Sequence, residues 1–87
     1  IIENRAFAAA ALKELGFEMT DSRANFLFAK HPTISGLTLY NELRARGILV
    51  RHFEKPRISE YNRITVGSRE QMETLIQTIR TILEEKI

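Results

Sequence analysis

From Met72 onward the sequence carries an apolar stripe of helical period. Met72, Leu75, Ile76, Ile79, Ile82 and Leu83 fall at i, i+3, i+4, i+7, i+10 and i+11. At 3.6 residues per turn these side chains share one face of an amphipathic helix. Ser68 and Gln71, three residues apart at its start, form a capping box in which each side chain satisfies a backbone N–H that the first turn leaves free. A helix apolar on one side only has to lay that side on another element, and the rest of the chain must supply it.

The preceding segments read as two more helices and four strands. A first helix spans about Asn4 to Leu15, with Ala8, Ala11, Leu12 and Leu15 on one face, and Gly16 closes it in the C-cap role. Phe17-Glu18-Met19 reads as a short strand, Thr20-Asp21-Ser22 as a turn, and Ala24–Ala29 as the clearest strand. His31-Pro32-Thr33 ends that strand, because proline removes a ladder donor. Ser35 is the expected N-cap of a second helix, with Ile34 and Leu39 placed as a hydrophobic staple. Leu39, Leu43 and Tyr40 form its inner stripe, Arg44 and Arg46 occupy its last turn, and Gly47 ends it. Ile48–Phe53 is the next expected strand, Glu54–Tyr61 a loop containing Pro56, and Asn62–Val66 the last strand before the Gly67-Ser68 turn. The order α-β-β-α-β-β-α specifies an α+β fold, a mostly antiparallel sheet with helices packed on one face.

Three helices of modest length cannot cover both faces of such a sheet, so a second domain or a partner subunit is expected on the other face. The chain of 87 residues, 44% of them hydrophobic, fits one small domain, and its start at Ile1 suits a piece of a longer protein. Cysteine is absent, which excludes disulfides, thiolate nucleophiles and cysteine metal sites. Thirteen basic and eleven acidic side chains leave a net charge of +2, too small and too interleaved to argue for nucleic acid. No apolar stretch approaches the roughly 20 residues of a membrane helix, and the N-terminus carries no signal-peptide pattern. The expected setting is cytoplasmic.

The chemistry concentrates in Arg51, which closes the apolar run from Gly47, and Arg63, which opens Arg63-Ile64-Thr65-Val66-Gly67. A guanidinium is planar, permanently charged and carries five donors, so it can grip a phosphate or carboxylate at two points. Strand parity puts Ile48, Val50, Ile64 and Val66 beneath the helices and turns Arg51, Arg63 and Thr65 away from them. The residues alone leave two readings open: an anion-binding edge, or two exposed strand arginines in ordinary surface ion pairs. Asn25 is a possible supporting ligand, although a turn hydrogen bond to local backbone near the strand start is the favoured account of it. His31 and His52 have no metal spacing and read as surface or interface residues. Ser35 and Ser68 are caps rather than nucleophiles, and no glycine loop cradles a phosphate. Phe26 and Phe28 read as buried, which argues against an RNA-binding sheet. No catalytic residue or metal ligand is assigned.

Three segments carry a resemblance: Ser22-Arg23-Ala24-Asn25-Phe26, then Leu39-Tyr40 through Arg46-Gly47-Ile48-Leu49-Val50-Arg51, then Tyr61-Asn62-Arg63-Ile64-Thr65-Val66-Gly67-Ser68-Arg69-Glu70. Over essentially all 87 residues the chain resembles the C-terminal small domain of the histidinol-phosphate aminotransferase family, within the class I/II aminotransferases. The resemblance implies the small, substrate-recognition domain of a fold-type I enzyme that is usually a homodimer, packed on its own large domain. It implies amino transfer between histidinol phosphate and 2-oxoglutarate, yielding glutamate, in histidine biosynthesis. By the same analogy Arg63 and Arg51 hold the substrate phosphate or carboxylate. The pyridoxal 5'-phosphate cofactor and its lysine belong to the large domain, so the 87 residues alone are expected to be inactive. A threonine-phosphate decarboxylase type of enzyme and a non-catalytic ligand-binding α+β domain are the alternatives.

Overall fold

Helices and strands alternate in this chain in the order that its hydrophobic periods imply. The computed structural model describes residues 2–23, 25–53, 55 and 60–86. Its elements are α1 (Ile2–Glu14), β1 (Glu18–Arg23), β2 (Phe26–Lys30), α2 (Gly36–Ala45), β3 (Arg51–His52), β4 (Asn62–Thr65) and α3 (Arg69–Lys86). The strands form one sheet in the order β1-β2-β4-β3, and every neighbouring pair is antiparallel. Helix α2 carries the chain past the position that β4 later fills, so β4 becomes a central strand and β3 an edge.

The helices share one face of this sheet. All six residues of the α3 stripe are buried, with Ala8 and Leu12 of α1 and Leu39 and Leu43 of α2. The sheet contributes Leu27, Ala29 and Ile64 to the same cluster. Burying one Leu or Ile side chain fully stabilises the fold by roughly 1.5–3 kcal/mol. Leu27 stands opposite Ile64 and Ala29 opposite Asn62, whereas Phe26 faces Thr65 and Phe28 faces Arg63 on the other side. Side chains alternate along a strand, so this register decides which face receives each residue.

Two helix ends are built alike. Phe17 N–H donates to the Leu12 carbonyl and Gly16 N–H to that of Lys13, both at 3.0 Å. Ile48 N–H donates to Leu43 at 2.9 Å and Gly47 N–H to Arg44 at 3.0 Å. These are Schellman caps, and their glycines have φ of +99° at Gly16 and +84° at Gly47. The starts follow expectation too. Thr38 N–H donates to Ser35 Oγ at 3.1 Å, while Ser68 N–H meets Gln71 Oε1 at 2.9 Å and Gln71 N–H meets Ser68 Oγ at 3.1 Å.

Three local expectations are corrected. Thr20-Asp21-Ser22 is not a turn: β1 continues through Arg23, and a register irregularity between Thr20 and Arg23 accommodates the polar run on an edge strand. The strand expected over Ile48–Phe53 contracts to Arg51–His52, because the Schellman cap of α2 has already engaged the Ile48 amide. Phe26 and Phe28 are half-buried on the helix-free face rather than enclosed, since Leu27 and Ala29 take the inner positions. The expected Glu54–Tyr61 loop with Pro56 lies largely outside the described residues.

Candidate functional site

Arg51 and Arg63 are direct partners across the β3–β4 ladder. Opposed residues of an antiparallel pair project from the same face, with Cα atoms about 4.5–5.5 Å apart. Both guanidinia therefore rise from the helix-free side of the sheet, Arg51 exposed and Arg63 half-buried. Like charges directly opposite one another repel. The ion pairs among the described residues are made by Arg46, Arg69 and Lys86, and none involves Arg51 or Arg63.

Aromatic rings support the two cations instead of acids. The Arg63 guanidinium carbon lies 4.4 Å from the centre of the Phe26 ring, and that of Arg51 lies 6.0 Å from the centre of Phe53. Phe28, opposite Arg63 on β2, stacks on Phe53 with centroids 6.0 Å apart and planes 26° apart. A ring face attracts a cation without neutralising it. Arg63 Nε is buried and has no hydrogen-bond partner among the described residues. A buried donor left unsatisfied costs about 1–3 kcal/mol, and an anion spanning the pair would satisfy guanidinium donors in a fixed plane.

Asn25 is not brought to this pair. Its carbonyl accepts the Val66 N–H at 2.6 Å, tying the start of β2 to the end of β4, and its side chain is exposed. The histidines have internal roles rather than surface ones. His31 Nδ1 accepts from the Thr33 and Ile34 amides at 3.1 and 3.4 Å, so Nε2 carries the proton and donates to the Leu15 carbonyl at 3.0 Å. His52 stacks on Tyr40, with centroids 5.4 Å apart, and bonds Asn62.

Asn62 was not singled out from the sequence, although its parity with Ile64 marks it as an inward polar residue. It is 1% exposed and lies beside Arg63. Its amide donates to the Gly36 carbonyl at 3.0 Å.

The strongest charge network lies elsewhere. Glu42 meets Arg46 at 2.6 Å and Lys86 at 3.0 Å, and Arg46 also meets Glu85 at 2.7 Å. The hydrogen bond from Arg46, followed by that from Lys86, holds the Glu42 carboxyl below its ordinary range. A hollow of about 580 Å³ lies between residues 47–50, β4 and the start of α3, and no arginine is among its described lining residues. Among the described residues no cluster of His, Asp or Glu is arranged to hold a metal ion, and no helix is long and apolar enough to cross a membrane.

Comparison with known proteins places this chain in a family. The model of the family "Aminotransferase class I and II" matches residues 1–79. The chain belongs to that aminotransferase family. It is 49% identical over 83 residues to histidinol-phosphate aminotransferase 1 of Bradyrhizobium diazoefficiens, covering 95% of this chain and 24% of that protein. Among solved structures, the histidinol-phosphate aminotransferase of Clostridium acetobutylicum aligns with a TM-score of 0.86 at 19% identity, over 98% of this chain and 27% of that one. The L-threonine-O-3-phosphate decarboxylase of Porphyromonas gingivalis aligns with a TM-score of 0.82 at 26% identity, over 94% and 26%. The chain spans about a quarter of the length of each of these proteins.

Proposed function

We propose that residues 1–87 are the C-terminal small domain of a histidinol-phosphate aminotransferase, in which Arg51 and Arg63 bind the substrate anion. The observation that carries this reading is the opposed arginine pair, with no acid paired to it among the described residues and with Arg63 Nε buried and without a hydrogen-bond partner among them. A transaminase of this kind accommodates two substrates in turn: histidinol phosphate, and the glutamate/2-oxoglutarate couple. Each presents an anion at some distance from the reacting amine or carbonyl. Paired guanidinia accept either a phosphate or a carboxylate and orient the remainder of the molecule.

Pyridoxal 5'-phosphate, when bound, supplies the electron sink for the carbanion. This chain offers no lysine to hold it. Lys30 lies over the Tyr61 ring at 5.3 Å, Lys86 pairs with Glu42, and Lys13 and Lys55 are exposed. The domain's part is recognition, orientation and the exclusion of water from the bound anion. Alone it is inactive. The cofactor belongs to a large domain packed against this one, in a cytoplasmic homodimer.

The structural likeness to a threonine-phosphate decarboxylase supports a second reading, because a phosphate-binding arginine pair suits that substrate equally. Assaying the full-length protein with histidinol phosphate and 2-oxoglutarate separates the two. Glutamate formation is expected. Release of carbon dioxide from threonine phosphate, without amino transfer, would replace the first reading by the second.

A further inference from the structure

Arg51 stands on a strand too short to hold its own register against Arg63 of β4. β3 contains only Arg51 and His52, and its ladder with β4 has two rungs, Arg51 with Arg63 and His52 with Asn62. Slipping such a pair by one residue turns every side chain to the opposite face. Arg51 would then point toward the helices and the fork would be lost. Something beyond the backbone ladder has to pin this edge.

The second rung carries that pin on its inner side. Asn62 Nδ2 donates to the Gly36 carbonyl, which turns Asn62 Oδ1 toward His52. His52 Nδ1 therefore carries the proton and donates to Oδ1 at 3.2 Å. The His52 ring also stacks on Tyr40 of α2, with planes 29° apart. Gly36, at the first turn of α2, is held from its other side by Glu60 Oε1, which accepts the Gly36 N–H at 3.0 Å. Each member of the inner rung is thus tied to α2, and each is the chain neighbour of one arginine. A buried amide must satisfy its donors and acceptor to be tolerated, so it admits few alternative registers.

We propose that Asn62 and His52 are a pair of positioning residues that set the register of the Arg51–Arg63 fork and so its affinity for a phosphate-bearing substrate. The inference rests on the reading of the arginines as the anion site. Neither Asn62 nor His52 touches the substrate. Their bond acts through the strand, holding both guanidinia on one face at a fixed separation.

The test uses the full-length holoenzyme, inorganic phosphate as probe, and the thermal midpoint of each variant measured alongside. His52→Phe keeps a ring over Tyr40 and removes the donor; Asn62→Leu removes the acceptor; Arg63→Lys is the reference. Either single change is expected to weaken phosphate binding by about five- to tenfold, and the double variant by no more than Asn62→Leu, because that change already removes the His52 bond along with the bond to Gly36. A folded His52→Phe protein that binds phosphate like the parent, while Arg63→Lys has lost binding, would overturn the positioning role. So would a lowered thermal midpoint with unaltered phosphate affinity, or single effects that add in the double variant. If Asn62→Leu does not fold, His52→Phe alone decides. Parental phosphate binding by Arg63→Lys would instead remove the arginine reading, and the inference with it.

Discussion

The guanidinium carbon of Arg63 lies 4.4 Å from the centre of the Phe26 ring, on the face of the sheet opposite the three described helices. The contact constrains the plane of the fork while leaving its charge available. An acid in the same position would hold the arginine more tightly and compete with any incoming anion. Phe26→Leu in the full-length protein should therefore weaken phosphate-substrate binding by about 0.5–2 kcal/mol, the range of a cation–π contact. Calorimetric titration beside a melting curve checks this. A change in melting alone would assign Phe26 to packing.

The caps make a separate comparison. Gly16 and Gly47 both occupy the left-handed region, but a Cβ at Gly16 would stand 3.0 Å from His31 Nε2, whereas nothing lies within 4 Å at Gly47. Gly47→Ala should cost about 1–2 kcal/mol from backbone conformation alone. Gly16→Ala should cost more, because it also displaces the ring that bridges Leu15 to the Thr33 and Ile34 amides. Urea denaturation of the two variants gives the order, and equal midpoints would deny His31 its bridging role.

Within α3, Ile79 is fully buried. Ile79→Ala should destabilise by about 2–5 kcal/mol. Leu49, 78% exposed, provides the control, and Leu49→Ala should stay within about 0.5 kcal/mol of the parent. Denaturant midpoints measure both.

The acid limb of stability should contain a contribution from Glu42. Its carboxyl is held low in the folded state by hydrogen bonds from Arg46 and Lys86. The unfolded chain then binds the proton more readily, so stability rises with pH through this window. The contribution is fully present above the ordinary carboxylate value and is lost as pH falls through the lowered folded value. Glu42→Gln should remove it, with little difference from the parent at the most acid end and a smaller difference in high salt, because the network is solvent-exposed. Acid titrations of both proteins at two ionic strengths check the sign.

Much of this architecture could be read from local chemistry. The α3 stripe and both of its capping partners are short-range patterns, and the parity of Arg51 and Arg63 follows from alternation once their strands are recognised. What escaped depended on neighbours distant in sequence. Thr20-Asp21-Ser22 has turn composition, yet β2 pairs with its flanks and draws it into a strand. Phe26 and Phe28 are as apolar as Leu27, and only the position of the helices decides which set is enclosed. Asn62 looks like an ordinary polar strand residue until the Gly36 carbonyl, 26 positions away, arrives to meet it. Asn25 shows the converse: its backbone joins two strands, and its side chain goes unused by any described partner.

Kinetics of Arg63→Lys in the full-length protein, against histidinol phosphate and against glutamate, test the central claim most directly. Lysine preserves the charge and removes the planar fork. Losing charge-assisted bonds of this kind should lower kcat/KM for both substrates by roughly ten- to a hundredfold, with an unchanged melting temperature. Parental kinetics with both substrates would contradict the account.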